Sequence, residues 1–250
     1  MRQPQSDQNI IFGVHPVSEA IESGKEIEKV FLKKGASSDA LRDLKRTMKG
    51  RRIPFQEVPQ EKLNRLTRKN HQGVVALLSP IEYADIETEV QKVFEKGETP
   101  LILVLDRVSD VGNFGAICRS AECAGVHAIL IPTKGSAQIN SFAVKSSAGA
   151  IFNIPICRTG HILSEVRKLQ ESGLRVSACS EKGEKTIYQS EFGGPTAIIM
   201  GSEEDGIGDG LLDIADEHVN IPMSGATASL NVSVATGIIL FERLRQLSNG

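Results

Sequence analysis

The chain has 250 residues, of which 40% are hydrophobic and 24% are charged. This length can bury one large core, or one medium and one small core. No apolar run approaches the roughly 20 residues that a membrane-spanning helix requires, and residues 1–9 are typical of neither a secretory signal nor a transit peptide. The four scattered cysteines indicate reduced, buried thiols. We therefore expect a soluble, cytoplasmic protein with no membrane partner.

The formal net charge of −2 is unevenly distributed along the chain. Residues 24–71 hold 14 Lys and Arg against 6 Asp and Glu, a local net charge of +8, which leaves −10 elsewhere. Such a segment suits phosphate binding, because each phosphate contact releases counterions from a nucleic acid. A solvated helix face would give the same count, so both interpretations stay open. The candidate RNA-binding residues are Lys33, Lys34, Arg46, Arg51, Arg52 and Arg68.

The first 80 residues alternate amphipathic helices with short apolar strands. The helical periodicity predicts helices over 17–21, 39–48 and 61–67. The apolar runs predict strands over 27–32, 53–58 and 73–78. We therefore expect a small α/β domain over 1–80, followed by a charged, helix-containing linker over 81–99.

Residues 100–250 have the pattern of a parallel sheet. Buried strands are predicted over 101–105, 128–131, 152–156, 175–179, 197–200 and 219–221. Their near-continuous Val, Ile and Leu runs indicate a parallel sheet covered on both faces. One helix should begin near Asn113 and stop at Gly125, a residue suited to the C′ position. A second should begin at Ser229, as N-cap, and continue to the C-terminus.

Three loops follow predicted strands, at the position where open parallel sheets bind ligands. They cover residues 106–120, 201–208 and 222–233. A phosphate-binding P-loop is disfavoured because Gly206 is followed by Ile207 and Gly208 rather than by Lys and Ser or Thr. The glycine spacing does not fit a Rossmann fingerprint either. There is no Gly-x-Ser-x-Gly elbow, and the five histidines lack zinc-ligand spacing, so no metal is expected.

The three loops carry recognisable motifs. In order, they are Asn113-x-Gly115-Ala116-x-x-Arg119-Ser120, then Met200-Gly201-Ser202-Glu203-x-x-Gly206, then Ile221-Pro222-Met223 with Ser229-Leu230-Asn231-Val232-Ser233-Val234-Ala235. Together they resemble the signature motifs of the SpoU family of RNA ribose methyltransferases. One departure is Ser202, where many members have alanine, and the additional acids Glu204 and Asp205.

The front of the chain extends this resemblance. Its segments are Phe12-Gly13-Val14-His15-Pro16-Val17-x-Glu19-Ala20 and His71-Gln72-Gly73-Val74-Val75-Ala76. They are similar to the amino-terminal domain of the branch that methylates a guanosine in 23S ribosomal RNA. That domain is a small RNA-binding fold like ribosomal proteins L30 and L7Ae.

The resemblance implies transfer of a methyl group from S-adenosylmethionine to a ribose 2′-hydroxyl of structured RNA. It also implies a deep trefoil knot in the carboxyl-terminal domain and a homodimer with the cofactor pocket at the subunit interface. The positions that match cofactor-binding residues are Gly201, Ile221, Met223 and Leu230. The positions that match catalytic residues are Asn113, Arg119, Glu203, Ser229 and Asn231.

Methyl transfer needs the acceptor oxygen placed in line behind the methyl group, and it needs the hydroxyl proton removed. We expect Arg119 to contact the phosphate and hydroxyl of the target nucleotide, with Glu203 fixing its guanidinium. The resemblance suggests Arg119 as the general base, but a guanidinium stays protonated far above neutrality, so orientation is the preferred role. The polar residues Asn113, Ser229 and Asn231 would orient the acceptor.

Simpler interpretations exist for single residues: Asn113 and Ser229 could cap helices, and Glu203 could pair with a surface cation. Two other functions also remain open. One is a non-catalytic RNA-binding or ribosome-assembly protein, which intact Arg119, Glu203 and Asn231 argue against. The other is a transfer-RNA ribose methyltransferase of the same family, whose members generally lack the small front domain.

Overall fold

The computed structural model describes residues 10–225 and 229–248. They form two compact units, divided between Glu82 and Tyr83. Each unit has its own sheet, with helices between most of its strands. The α/β fold class predicted from the sequence is therefore confirmed.

The first unit is a mixed four-stranded sheet with three helices. Its elements are β1 (Ile10–Phe12), α1 (Val14–Glu22), β2 (Ile27–Lys33), α2 (Asp39–Gly50), β3 (Phe55–Val58), α3 (Gln60–Leu66) and β4 (Val74–Leu78). The strand order is β1-β4-β2-β3, in which β2 and β3 are parallel and the other pairs are antiparallel.

Side-chain alternation along β2 explains how the helices cover both faces of this sheet. Val30 and Leu32 pack in one cluster with buried residues of α1 and α2. Phe31, on the opposite face, packs with Leu63 of α3. Since successive side chains of a strand point to opposite faces, β2 separates two small cores.

The second unit is built on a seven-stranded parallel sheet. Its strands are β5 (Leu101–Leu105), β6 (Ala128–Pro132), β7 (Ile156–Thr159), β8 (Arg175–Cys179), β9 (Lys185–Thr186), β10 (Thr196–Met200) and β11 (Glu217–Asn220). Its helices are α4 (Ile86–Glu95), α5 (Val111–Cys123), α6 (Ser141–Ser146), α7 (Ile162–Glu171), α8 (Asp209–Ile214) and α9 (Val232–Ser248). The strand order is β7-β6-β5-β10-β8-β11-β9, and every pair is parallel, as predicted.

Both faces of β5 are buried. Ile102 and Val104 pack in a cluster with residues of α4, α7 and α8. Leu101, Leu103 and Leu105 point to the other face and are at most 1% exposed. Helix α4 lies in the segment expected to be a linker, and its Ile86 and Val90 belong to the core of the second unit.

Two local predictions are wrong. The strand expected over 152–156 is a short 3-10 helix, Ala150–Phe152, followed by β7 from Ile156. Gly149 enters that helix at a φ of 86°, a left-handed conformation that a continuous strand does not use.

The last helix begins at Val232, not directly after Ser229. The side-chain oxygen of Asn231 accepts hydrogen bonds from the backbone N–H and hydroxyl of Ser233, and so takes the capping role assigned to Ser229. Helix α5, by contrast, ends as predicted: Gly125 follows it at a φ of 71°.

Candidate active site

Four neighbouring parallel strands, β5, β10, β8 and β11, bring their carboxyl ends to one edge of the second sheet. The loops that leave them begin at Asp106, Gly201, Ser180 and Ile221. Three of these loops carry the motifs that the sequence singled out. The fourth, after β8, was missed, although it follows the same strand-end rule.

Asn113, Glu203 and Asn231 form a hydrogen-bonded cluster, which we call the amide–carboxylate cluster. Glu203 Oε1 accepts from Asn113 Nδ2 at 2.8 Å and from Asn231 Nδ2 at 2.7 Å. Asn231 Nδ2 also donates to Asn113 Oδ1 at 3.1 Å. Residues separated by up to 118 positions thus meet within one chain.

Each member of the cluster is held by its own local structure. Asp110 caps α5 by accepting from the backbone N–H of Asn113 at 2.7 Å. Glu203 lies in a tight turn closed by hydrogen bonds between the backbones of Ser202 and Gly206, at 3.0 and 3.1 Å. A Cβ on Gly201 would lie 2.1 Å from the carbonyl carbon of Gly206, so only glycine permits this turn. Asn231 is fixed by its bonds to Ser233.

A second set of contacts joins the same turn to the end of β5. The Asp106 carboxylate is 5% exposed and accepts from the backbone N–H of Gly208 at 2.8 Å. Arg107 donates to Asp106, to the Asp205 carboxylate at 3.3 Å and to the Gly206 carbonyl at 3.4 Å. The carboxylate of Asp106 raises the pKa of Arg107, so this guanidinium stays charged.

Sequence reasoning missed the Asp106–Arg107 pair. Arg107 has a φ of 60°, a left-handed conformation that is uncommon for a residue with a side chain. Its partners in the turn lie about a hundred positions later in the chain. The one available signal was two opposite charges at the end of a predicted buried strand.

A cavity of about 410 Å³ opens beside the cluster, within the size range of small-molecule sites. Its walls include all four predicted cofactor-binding residues, Gly201, Ile221, Met223 and Leu230, together with Glu203 and Ser229. The loop Cys179–Lys182 after β8 supplies a further wall.

The chemistry of this wall fits the methyl donor that the motifs imply. Ile221, Met223 and Leu230 provide apolar surface for a purine ring. The carboxylates of Glu181, Glu203 and Glu204 offer negative charge to a sulfonium and an ammonium group. The residues present can therefore hold S-adenosylmethionine.

A smaller cavity of about 260 Å³ adjoins the first and shares residues 202–205 with it. Arg107, Asp110 and Asn113 line its other sides, and Val232 borders both cavities. The amide–carboxylate cluster therefore borders two spaces, an arrangement in which a donor and an acceptor can meet.

Two predicted catalytic residues lie outside the cluster. Ser229 is exposed and lines the larger cavity. Arg119 is exposed on α5 and makes no hydrogen bond or ion pair with residues 10–225 or 229–248. It follows Asn113 by six residues, which places it about 9 Å further along the helix and roughly 240° around it. The two side chains therefore leave α5 in different directions.

The six candidate RNA-binding residues lie in different environments. Arg46 forms an ion pair with Asp43 at 3.5 Å, and Arg51 donates to the carbonyl of Ile21. These contacts engage both side chains within the first unit. All six candidates are nevertheless exposed: Lys33, Lys34, Arg46, Arg51, Arg52 and Arg68.

Burial raises the pKa of three cysteine thiols, Cys118, Cys157 and Cys179, to about 12. Cys179, in the wall of the larger cavity, is therefore a protonated, unreactive group near neutral pH. Within the described ranges, no group of three or more His, Cys, Asp or Glu could hold a metal ion. In that same part of the chain, no helix is long and apolar enough to cross a membrane.

Comparisons with known proteins match both units. Residues 100–241 match the SpoU rRNA methylase family, and residues 10–84 match the substrate-binding domain of RNA 2′-O ribose methyltransferases. The 23S rRNA (guanosine-2′-O-)-methyltransferase RlmB of Yersinia pestis is 36% identical over 239 residues, which cover 95% of this chain and 97% of the relative.

Solved structures agree with these matches. The SpoU methyltransferase AviRb from Streptomyces viridochromogenes, crystallised with the cofactor AdoMet, has a TM-score of 0.61 and 27% identity, covering 96% of this chain and 91% of that one. The A. aeolicus TrmH/SpoU tRNA modifying enzyme has a TM-score of 0.56 and 29% identity, but covers 65% of this chain and 84% of its own.

The parallel sheet, the strand-end site and the matched substrate-binding unit define an RNA 2′-O-methyltransferase. The chain belongs to the SpoU rRNA methylase family. The resemblance inferred from the three loop motifs is thereby confirmed.

Proposed function

We propose that this enzyme methylates the ribose 2′-hydroxyl of a guanosine in 23S ribosomal RNA. The reaction class, S-adenosylmethionine-dependent 2′-O-methylation of rRNA, follows from the family. The observation that carries the proposal is the amide–carboxylate cluster beside a cavity lined by Gly201, Ile221, Met223 and Leu230.

When bound, S-adenosylmethionine supplies an electrophilic methyl group to the site. The residues of this chain then have to place the acceptor oxygen at a near-attack distance of about 3–3.5 Å and exclude competing water. Asn113 and Asn231 suit this task, because Glu203 holds both amides in one orientation. Asn113 lines the acceptor-side cavity directly.

Arg119 orients the target phosphate and hydroxyl, and we propose that it does so in the site of a second subunit. Its direction away from the cluster on α5 supports this assignment. So do the exposed apolar side chains of Phe142, Phe152, Val234 and Phe241, each at least half exposed. They belong to elements that pack against α5, the helix that carries Arg119, and exposed apolar side chains of this kind are typical of a subunit contact.

Subunit mixing tests this assignment. An Arg119→Ala subunit paired with a Glu203→Ala subunit should recover about half the wild-type turnover, because one site then has both residues intact. Each variant alone should lose most of its turnover while still binding cofactor. Inactivity of the mixed dimer would place Arg119 in its own subunit's site, and wild-type turnover of Arg119→Ala would end its catalytic role.

The match along both units favours ribosomal RNA over transfer RNA. The RlmB relative aligns with 95% of this chain, whereas the A. aeolicus tRNA enzyme covers 65% of it. In this proposal the first unit is the RNA-binding domain and residues 100–250 are the catalytic domain. We also propose that the enzyme works in the cytoplasm. The non-catalytic alternative loses support, since the cluster and the cavity are both assembled.

The proposed trefoil knot is supported by contacts of the carboxyl-terminal helix. Gln246 of α9 donates to the carbonyl of Ser190 and accepts from the backbone N–H of Phe192. Next to this segment, Asn220 donates to the carbonyl of Gly183 and accepts from the N–H of Ile187. The 180–192 segment thus binds both β11 and α9. In the first unit, a four-stranded sheet with helices on both faces supports the L30-like assignment.

The test is to map ribose methylation in 23S rRNA from cells with and without the protein. Purified enzyme and labelled cofactor are then used on the unmethylated RNA. We expect one 2′-O-methylguanosine that disappears with the protein and returns in vitro. Methylation of a tRNA instead, or of no RNA, would overturn the proposal.

A further inference from the structure

One face of the first sheet presents a row of cationic and aromatic side chains. Residues 29, 31 and 33 of β2 alternate with Val30 and Leu32, which belong to the opposite core. Lys29, Phe31 and Lys33 therefore point to the face that carries α3. No residue of this row except Lys33 was among the candidates drawn from charge counts along the chain.

Two ammonium groups from different elements converge on this row. Lys29 Nζ lies 5.5 Å from the centre of the Phe31 ring, and Lys62 Nζ, from α3, lies 5.1 Å from the same centre. A third, Lys69 Nζ, lies 5.7 Å from the ring of Phe12 on β1. We call Lys29 and Lys62 the lysine pair.

Neither member of the lysine pair forms an ion pair with a carboxylate among residues 10–225 and 229–248. The cations of α2 differ: Arg42 pairs with Asp39, and Arg46 with Asp43. Lys45 also pairs with Glu57, at 2.6 Å. The helix with the densest positive charge is thus largely compensated, while the lysine pair is not.

The two like charges of the pair also affect each other. Burial, and then the charge of Lys62, lower the pKa of Lys29, while the smaller influence of the Glu28 carboxylate raises it. An anion placed between the two ammonium groups would relieve that repulsion and complete their coordination.

We propose that Lys29 and Lys62 together bind a backbone phosphate of the RNA substrate, on the α3 face of the first unit. This inference rests on the proposed function for the identity of the ligand as RNA, and on the match of residues 10–84 to an RNA substrate-binding domain. Lysines act on phosphate as point charges without reading bases. The pair therefore contributes affinity rather than the choice of nucleotide.

The experiment measures binding of the full-length enzyme to unmodified 23S rRNA transcript over a range of salt concentrations, together with methylation kinetics. The test variant is Lys29→Gln/Lys62→Gln. Loss of this phosphate contact should weaken RNA binding roughly tenfold and reduce the slope of log affinity against log salt by about 1. KM for RNA should rise, while kcat at saturating RNA stays unchanged.

The matched control is Arg42→Gln/Lys45→Gln, which removes two positive charges from the same unit at ion-paired positions. It should keep its RNA affinity within about twofold. A second variant, Lys29→Arg/Lys62→Arg, preserves charge and should retain binding, which separates loss of charge from loss of packing on Phe31.

The inference is overturned if the Gln double variant keeps wild-type affinity and salt slope, or if the control loses as much as the test variant. A wild-type enzyme that binds the transcript without methylating it would refute the proposed function alone, because the binding comparison still applies. Absence of RNA binding by the wild type would refute both.

Discussion

The amide–carboxylate cluster and the lysine pair differ in how many partners their polar groups have within the chain. Within the cluster, Glu203 already accepts two hydrogen bonds from Asn113 and Asn231, so its geometry is set before a substrate arrives. Lys29 and Lys62 lie over one aromatic ring, and in the described chain neither has a carboxylate within ion-pair distance. The comparison indicates that side chains are fixed by hydrogen bonds at the site where donor and acceptor atoms must be aligned. Charges without an ion-pair partner lie instead where RNA is proposed to bind.

The largest effect should come from breaking the cluster. Glu203→Ala removes the acceptor of both amides and should lower kcat about 100-fold, while RNA affinity stays within about twofold. Single-turnover methylation and RNA binding measure the two quantities.

Glu204→Ala is the matched control for that change. Glu204 is the next residue, is exposed, and forms no hydrogen bond or ion pair within the described residues. At saturating S-adenosylmethionine its replacement should leave kcat nearly unchanged, because Glu204 supplies only charge to the donor cavity. Equal losses in the two variants would mean that general negative charge, not the hydrogen-bonded geometry, matters.

A smaller effect is expected at Asp106, whose contacts hold the turn that carries Glu203. Asp106→Asn removes a buried charge that binds Arg107 and accepts from Gly208. We expect a loss of about 1–3 kcal/mol in unfolding free energy and weaker cofactor binding, because the turn that holds Glu203 loosens. Denaturant unfolding and calorimetric titration measure these changes.

The exposed Asp213 on α8 offers a comparison for the Asp106 variant. Asp213→Asn should change stability by no more than about 0.5 kcal/mol. If Asp106→Asn is equally mild, the Asp106–Arg107 pair is a surface ion pair without a role in the site.

The family resemblance of the loop motifs selected Asn113, Glu203 and Asn231, which meet in the cluster, and four residues that line the larger cavity. These residues occur at strand ends in a fixed order. The motifs could not predict the Arg107 contacts, which depend on a left-handed backbone and on a turn about a hundred positions away. The sequence prediction also started α9 at Ser229, because serine is a common capping residue. It overlooked that the side chain of Asn231 accepts a hydrogen bond from the N–H of Ser233.

For the first unit, counting charges along the chain gave six candidates, only one of which, Arg46, lies in α2, and it did not select Lys29 or Lys62. The information was present in β2, where alternation places Lys29, Phe31 and Lys33 on one face. Ion pairing cannot be counted from composition, so compensated cations such as Arg46 ranked equally with uncompensated ones. Most strands were predictable because apolar runs determine them.

The smallest effect concerns the interior of the second unit. Burial raises the pKa of Cys118, Cys157 and Cys179 to about 12, so at pH 8 each stays protonated and should not react with a disulfide reagent. Cys123 is exposed and should react alone. We expect one reactive thiol in the native protein and four after denaturation. Rapid modification of Cys179 would contradict the burial that keeps this thiol protonated.

The central claim is that the strand-end loops of the second unit hold the methyl donor next to Asn113, Glu203 and Asn231. Hydrogen–deuterium exchange of the full chain, with and without S-adenosylmethionine, tests it directly. The account predicts slower amide exchange in residues 179–182, 200–206 and 221–231, with little change in the first unit. Unchanged exchange at saturating donor, or protection confined to other segments, would contradict it.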